Sequence, residues 1–330
     1  QAAVPVQQTV TLPGDTSLYR IRFNTFRSRV EDGLQVWYME GDVRIDHENT
    51  TVTSEKGRHY PESRHTILEG DVRGVDGSMR MFSDLGEYFG ETNILFMTDN
   101  VRMIDEGLEV TCRRAEYDRD AGTLILTGNV RLSDSTRVMY ADSIFYDRRT
   151  EVADAWKDVV IIDTAEEFSV SGSHGRFNRI TGEAVMYESP VLVFDDKAEE
   201  QGRVTSEWMS YDMEKDAGTA VRNVNMLKGR TRASCDSAAI FNGEGYIELF
   251  GDPTARSGPS GMSGERVILY YDDKGVERIV LPERGRLTES PKPESPWTED
   301  SWIEGDSIVI YMSDDQVDSV RIFGNARAMY

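Results

Sequence analysis

The chain has 330 residues, 38% of them hydrophobic, and its 59 acidic and 37 basic residues give a formal net charge of −22. That balance excludes a partner held mainly through phosphates, because nucleic-acid binders carry basic faces. No run of 18 apolar residues occurs, which excludes a bilayer-spanning helix.

In chain order, the sequence opens with Gln1-Ala2-Ala3-Val4-Pro5, without a charged segment followed by an apolar one; residues 1–18 are expected to be flexible, and a signal peptide to have been removed. A repeat then sets in. Gly41-Asp42-Val43-Arg44, Gly70-Asp71-Val72-Arg73, Asp99-Asn100-Val101-Arg102 and Gly128-Asn129-Val130-Arg131 start 29 residues apart, and Lys157-Asp158-Val159 continues the step. Echoes follow at Ser189-Pro190-Val191, Arg222-Asn223-Val224, Gly251-Asp252-Pro253, Glu283-Arg284-Gly285 and Gly324-Asn325-Ala326, at spacings of 32, 33, 29, 32 and 41. Ten such copies read as a stacked repeat rather than a compact enzyme domain.

Within a copy, Leu124, Leu126, Val130 and Leu132 share one parity and Thr127, Asn129, Arg131 and Ser133 take the other, the period-2 pattern of a half-buried strand. Leu95, Met97, Val101 and Met103 repeat the dry stripe one copy earlier; Tyr187, Val191 and Val193 repeat it later, with Leu192 expected outward. A second strand recurs from Val110 to Asp118, Val138 to Asp147, Val170 to Asn178 and Val204 to Asp212, each ending in an aromatic followed by Asp or Asn. That Asx starts a polar turn such as Asp118–Gly122, where its side chain bonds the backbone. Each unit therefore reads strand, turn, strand, turn, with little helix.

Residues 254–264, rich in Gly and Ser, and 282–303, with Pro282, Pro291, Pro293 and Pro296, are expected to be loop insertions in a single elongated domain spanning 1–330. The chain stops at Tyr330 within the stripe of Val320, Ile322, Ala326 and Ala328, which implies an unpaired edge. Cys112 and Cys235 occupy equivalent second-strand positions four copies apart, on the order of 20 to 40 Å and too far to bond, so they read as small buried hydrophobes. His47, His59, His65 and His174 lack ligand spacing and are expected at the surface, with no metal and no cofactor.

The recurring strand Leu124-Ile-Leu-Thr-Gly-Asn-Val-Arg-Leu132, followed by Tyr140-Ala-Asp-Ser-Ile-Phe-Tyr-Asp147, resembles the OstA/LptA family of lipopolysaccharide-transport proteins over residues 19–330. The resemblance implies an all-β, elongated repeat β-jellyroll, or β-taco, of about ten two-strand units with an apolar interior groove. It implies a periplasmic carrier or bridge that holds lipid A acyl chains of lipopolysaccharide and passes them to the outer membrane, leaving association with that membrane open. Other jellyroll components of the bridge would join by edge-strand pairing, or copies of the chain head to tail. The groove lining implied is Trp37, Met39, Val43, Leu95, Met97, Val101, Met103, Leu124, Leu126, Val130, Leu132, Val159, Ile161, Tyr187, Val191, Val193, Val224, Met226 and Leu249. The 330 residues read as longer than a usual bridge protein, without the membrane anchor expected of the inner-membrane component or barrel strands like those of the outer-membrane translocon, so a long bridge-type protein and the jellyroll part of a larger chain both fit.

Three alternatives stay open. The apolar stripe equally describes a filled core, which would make the chain a structural or adhesive rod. Extended β-repeats also carry carbohydrate-active enzymes, but GxSxG, HExxH and GKS/T motifs are absent and carboxylate pairs are uninformative among 59 acids, so no catalytic residue is assigned. Arg44, Arg73, Arg102 and Arg131 beside Asp42, Asp71, Asn100 and Asn129 read as a solvated ladder of opposite charges, or as a phosphate track that the acids largely neutralise.

Overall fold

The computed structural model describes residues 8–13, 18–47, 49–165, 168–194, 201–272, 275–291, 299–313 and 316–329. These fall into two compact units, Gln1–Ala165 and Glu166–Tyr330. The periodicity-based reading of the class holds: the described residues are almost entirely antiparallel β-strand, and the one helical turn is a 3-10 turn at Asn242–Glu244.

The first unit contains β1 (Gln8–Pro13), β2 (Leu18–Phe23), β3 (Thr25–Glu31), β4 (Leu34–His47), β5 (Thr50–Tyr60), β6 (His65–Asp76), β7 (Met79–Phe89), β8 (Ile94–Asp105), β9 (Leu108–Asp118), β10 (Thr123–Ser133), β11 (Arg137–Asp147) and β12 (Val152–Asp163). From β4 to β12 each strand pairs with the next. β3 pairs with the first half of β4 and β2 with its second half, so β2 and β3 together act as one more strand, interrupted at Asn24.

The repeated tetrapeptide marks a corner inside the strand. Gly41 and Asp42 have φ of 77° and 48°, and Gly128 and Asn129 have φ of 80° and 52°. Two successive residues in the left-handed region suit Gly, Asn and Asp, whose sterics or short polar side chains tolerate it. Register shows the result: Glu40 faces Lys56 and Val43 faces Ser54, so Gly41 and Asp42 stand against Glu55 alone. A bulge of this kind bends its strand. It recurs at Gly70/Asp71, Asp99/Asn100 and Lys157/Asp158. The bent strands thus have two arms, arm A before the corner of β4 and arm B after it, and each sheet half is built from one arm of every strand.

The second unit repeats the plan with interruptions. Ala217–Lys228 and Thr231–Phe241 run unbroken past Arg222/Asn223, whereas Glu183–Tyr187 and Val191–Phe194 are separate strands pairing with Trp208–Asp212 and Gly202–Thr205. The remaining split strands are Tyr246–Phe250 with Thr254–Ser257, Ser260–Ser263 with Arg266–Asp272, Gly275–Glu283 with Gly285–Glu289, Ser301–Gly305 with Ser307–Ser313, and Gln316–Phe323 with Arg327–Met329.

Four expectations are corrected. Residues 254–264 are not a loop, because Thr254–Ser257 pairs with Ser260–Ser263 as a hairpin built into the sheet. Within 282–303, Gly285–Glu289 is a strand paired on both sides, and residues 292–298 lie outside the described residues. Within 1–18, Gln8–Pro13 is a strand paired with β2, while 1–7 and 14–17 lie outside the described residues. The outward charge ladder is only partly formed. Arg73 pairs with Asp71 at 2.7 Å, but Arg44 pairs with Asp46, Arg102 pairs with Glu109 and Arg131 donates to Ser133.

Candidate functional site: the interior between the arms

The inward faces of both arms in the first unit are apolar, and they pack together at the corner. Ile21, Phe23, Met39, Val43, Ile45, Val52, Leu68 and Val72 form one buried cluster drawn from β2, β4, β5 and β6. Gly57 shows how tightly: a Cβ there would come within 3.0 Å of Met39 Cε, 3.3 Å of Leu68 Cδ2 and 3.4 Å of Val43 Cγ1.

The strand opposite each corner supplies a small buried residue, Ser54, Ser83, Cys112 or Ala141 in the first unit and Ser206 or Cys235 in the second. Its bulge leaves a carbonyl two residues on, and the side chain satisfies it: Ser54 Oγ donates to the carbonyl of Lys56 at 2.9 Å, Ser83 to Leu85 at 3.0 Å, Cys112 Sγ to Arg114 at 3.3 Å and Ser206 to Trp208 at 2.9 Å. The cysteines therefore stand where other copies use serine. Both are free, and burial pushes each thiol up to about 11.

At the opposite side of the interior, strand ends from the two arms meet in a polar seam. Tyr117, at the arm A end of β9, donates to Asp76 at the arm B end of β6 at 2.9 Å. Arg119 lies 3.9 Å from Asp76 and 3.4 Å from His47 Nδ1. One copy further, Arg148 reaches Asp105 through Nε at 3.0 Å and Nη2 at 2.7 Å, and donates to the Tyr117 hydroxyl at 3.1 Å. Burial and the bond to Asp76 push the Tyr117 phenol up to about 12, so it keeps the proton it donates. Arg119 to Asp76 and Arg148 to Asp105 span the same sequence interval, so the seam repeats with the fold. Sequence reading missed it, since a period predicts neighbours along a sheet and not across two arms.

Between corner and seam lies a small recess of about 30 Å³, partly open to solvent. It takes Ile45, Val52 and Met81 from arm B and Leu68, Leu95 and Tyr88 from arm A, with His47, Thr50, Asn93, Tyr117 and Arg119 at its polar side. Thr50 Oγ1 is shielded there without a hydrogen-bond partner.

Of the expected lining, Met39, Val43, Leu95, Met97, Val101, Met103, Leu124, Leu126, Val130 and Val159 are buried in the first unit, and Val224 and Leu249 in the second. Trp37, Leu132, Ile161 and Met226 are part-buried; Leu132 pairs with buried Val110 and Met139, and Met226 packs on the second unit's core. Tyr187, Val191 and Val193 lie in the other register. The left-handed pair there is Glu188/Ser189, one residue earlier than the Ser189-Pro190 anchor, so Met186 and Pro190 are the buried residues and Leu192 packs on the core. His59 is not at the surface. It is 1% exposed, bonds Thr66 Oγ1 through Nδ1 at 2.8 Å, and burial, with a smaller contribution from His65, pulls it down to about 4. Among the described residues no group of three His, Cys, Asp or Glu is placed to hold a metal ion.

No curated protein matches the chain. Among solved structures, LptH, the LptA homologous periplasmic component of the conserved lipopolysaccharide transport device from Pseudomonas aeruginosa, is 9% identical, with 41% of this chain and 75% of that chain covered and a TM-score of 0.20. Residues 43–200, just under half of the chain, from the first corner valine into the second unit, are similar to the family described as OstA-like protein.

Proposed function

We propose that the chain is a periplasmic carrier of lipopolysaccharide that holds acyl chains between the arms of its bent strands and passes them toward the outer membrane. The observation that carries this reading is the apolar interior between arms A and B, with Ile45, Val52, Leu68, Met81 and Leu95 lining a recess there, in a chain whose residues 43–200 are similar to the OstA-like family. Each acyl methylene removed from water there contributes about 0.8 kcal/mol, so carriage needs no directional chemistry and no catalytic residue. The proposed lining is the inward row at Trp37, Met39, Val43, Met97, Val101, Leu126, Val130, Val159, Val224, Met226 and Leu249, with Met186 and Leu192 in place of Tyr187, Val191 and Val193.

Partner components would add at sheet edges. Val317, Val320, Phe323 and Met329 on the last two described strands are exposed, which supports pairing with another jellyroll or a second copy there.

One observation favours a second reading. The tight contacts around Gly57 describe a filled core, as in a purely structural or adhesive rod. Photocrosslinking separates the two, with a light-activated amino acid at Val101, Val130 and Leu192 and outward controls at Arg102, Arg131 and Val191, in membranes containing lipopolysaccharide. The carrier reading expects lipid adducts from the inward set alone. Equal or absent labelling in both sets would put the rod first.

A further inference from the structure

The chain is acidic overall, yet charge is unevenly spread over the first unit. On arm B the residues between the buried inward ones face outward, and register lines them up across the sheet. Arg22 stands opposite Arg44, Arg44 opposite Thr53, Thr53 opposite Arg73, Arg73 opposite Phe82, Phe82 opposite Arg102, Arg102 opposite Thr111, Thr111 opposite Arg131 and Arg131 opposite Tyr140. From β4 onward this row carries an arginine on every second strand, about 10 Å apart. The next row toward the strand ends adds Arg20 and Arg80, both exposed, and among the described residues the carboxylates on the two rows are Asp46 and Glu109. Asp46 accepts from Arg22 at 2.6 Å and from Arg44 at 2.9 Å, Glu109 from Arg102 at 2.6 Å, and Asp71 at the corner from Arg73 at 2.7 Å. Seven guanidinium groups thus meet three carboxylates, a positive excess on one face of a chain whose net charge is −22. Apolar side chains share that face: Val75 is 44% and Tyr140 41% exposed, Ile104 stands opposite Arg80, and the Arg102 guanidinium lies over the Phe82 ring, 5.9 Å from its centre. The corresponding row of arm A runs through Arg58, Ile67, Glu87, Phe96, Glu116 and Ile125, with two carboxylates to one guanidinium.

We propose that the outer face of arm B in the first unit docks on an anionic lipid surface. Guanidinium groups take head-group phosphates through paired N–H donors, while Val75 and Tyr140 reach the boundary with the acyl chains. The net charge excludes a partner held mainly through phosphates, and the apolar share of the face answers that limit. Salt screens exposed charges beyond about 8 Å, so the groups nearest the lipid, rather than the whole chain, set the balance. Exposed ion pairs such as Arg73 with Asp71 are each worth little and leave the excess charge in place. A second copy of the chain is the poorer complement, because arm A mixes its acids with Arg58 and Arg114, and Glu69 already holds Arg58 at 2.8 Å. The site lies outside the arm and stands independently of what the interior carries.

The test is co-sedimentation of the full chain at physiological salt with vesicles of equal parts phosphatidylglycerol and phosphatidylcholine, and with vesicles of phosphatidylcholine alone. Binding to the anionic vesicles is expected to be at least about ten-fold tighter. Each guanidinium near an anionic surface strengthens adhesion about five-fold, so Arg73→Gln combined with Arg102→Gln should weaken it about 25-fold. Arg58→Gln combined with Arg114→Gln, on arm A, should change it less than about two-fold. Val75→Ser combined with Tyr140→Ser should weaken binding while keeping the preference for anionic vesicles. Equal binding to both vesicle types, binding to neither, or equal loss in the arm A variant overturns the proposal and leaves the carrier reading standing. Salt-sensitive self-association without vesicles that Arg73→Gln with Arg102→Gln abolishes would give the face to a second copy and overturns it as well. If that variant does not fold, as judged by far-ultraviolet circular dichroism, Arg20→Gln combined with Arg80→Gln decides: the same loss is expected, and unchanged binding overturns the proposal.

Discussion

The two units use one corner, yet the first carries its strands through it and the second mostly does not. From β4 to β12 the residue after each left-handed pair is a valine, Val43, Val72, Val101, Val130 or Val159, facing inward and buried. In the second unit Pro190 and Pro253 take that place. Proline has no N–H for the neighbouring strand, so pairing stops there and the strand divides. Among the described residues, Met39, Met97 and Met103 of the first unit are fully buried while Met226, Met262 and Met312 of the second are part-buried, although Met186, Leu281 and Ile308 there are as shielded as the first unit's interior.

The sharpest way to break this comparison is a charge inside each unit. Leu126→Asp places a carboxylate at a fully shielded position and should cost roughly 5 kcal/mol, unfolding the first unit, whereas Met226→Asp should cost about 1–2 kcal/mol. Chemical denaturation followed by one probe in each unit measures both, and equal losses would mean the interiors do not differ in depth.

Corner chemistry comes next. Val130→Pro should divide β10 as the second unit's strands are divided and cost about 3 kcal/mol, while Pro190→Val should stay within about 1 kcal/mol, because the regained hydrogen bond is offset by a more flexible unfolded chain. Hydrogen exchange at the amides on both sides of each corner reads the change; undiminished protection in Val130→Pro would refute the account.

Acid should single out the first unit by a comparable amount. His59 is held neutral by burial, its pKa lowered from 6.5 to about 4. A depressed histidine pKa gives stability that is present above pH 6.5 and lost as pH falls from there toward 4, since the unfolded chain takes up the proton first. The loss is about 3 kcal/mol at full effect. His59→Gln should flatten that slope, and a slope unchanged by the substitution would point to another group.

The smallest effect concerns the corner thiol. Cys112→Ser should be tolerated within about 1 kcal/mol because serine makes the same bond at Ser54 and Ser83, whereas Cys112→Val leaves the Arg114 carbonyl unsatisfied at about 1–3 kcal/mol. Thermal melts of the two variants side by side give the difference.

Much of this architecture was legible in the residues. The recurring short motif located eight of the ten left-handed corner pairs to the residue, because Gly, Asn and Asp recur there for a conformational reason. At the sixth copy Pro190 drew the register one residue off, and a one-residue slip exchanges the faces of a strand, which is why Tyr187, Val191 and Val193 were assigned inward. Residues 254–264 read as a loop because Gly and Ser dominate them, yet a short hairpin needs little side-chain packing when sheet neighbours hold it. The seam was out of reach, as Asp76 and Arg119 meet only because the strands bend.

The corner thiols also bear on electron chemistry. With pKa values near 11, Cys112 and Cys235 are thiolate in roughly one molecule in ten thousand at pH 7, and both are shielded. Oxidation and disulfide exchange run through the thiolate, so in the native state neither cysteine is a target for an oxidising compartment. The exposure to mispairing is confined to the time before the arms close, and a chain that folds slowly would show it as covalent dimers that reduced, folded protein never forms.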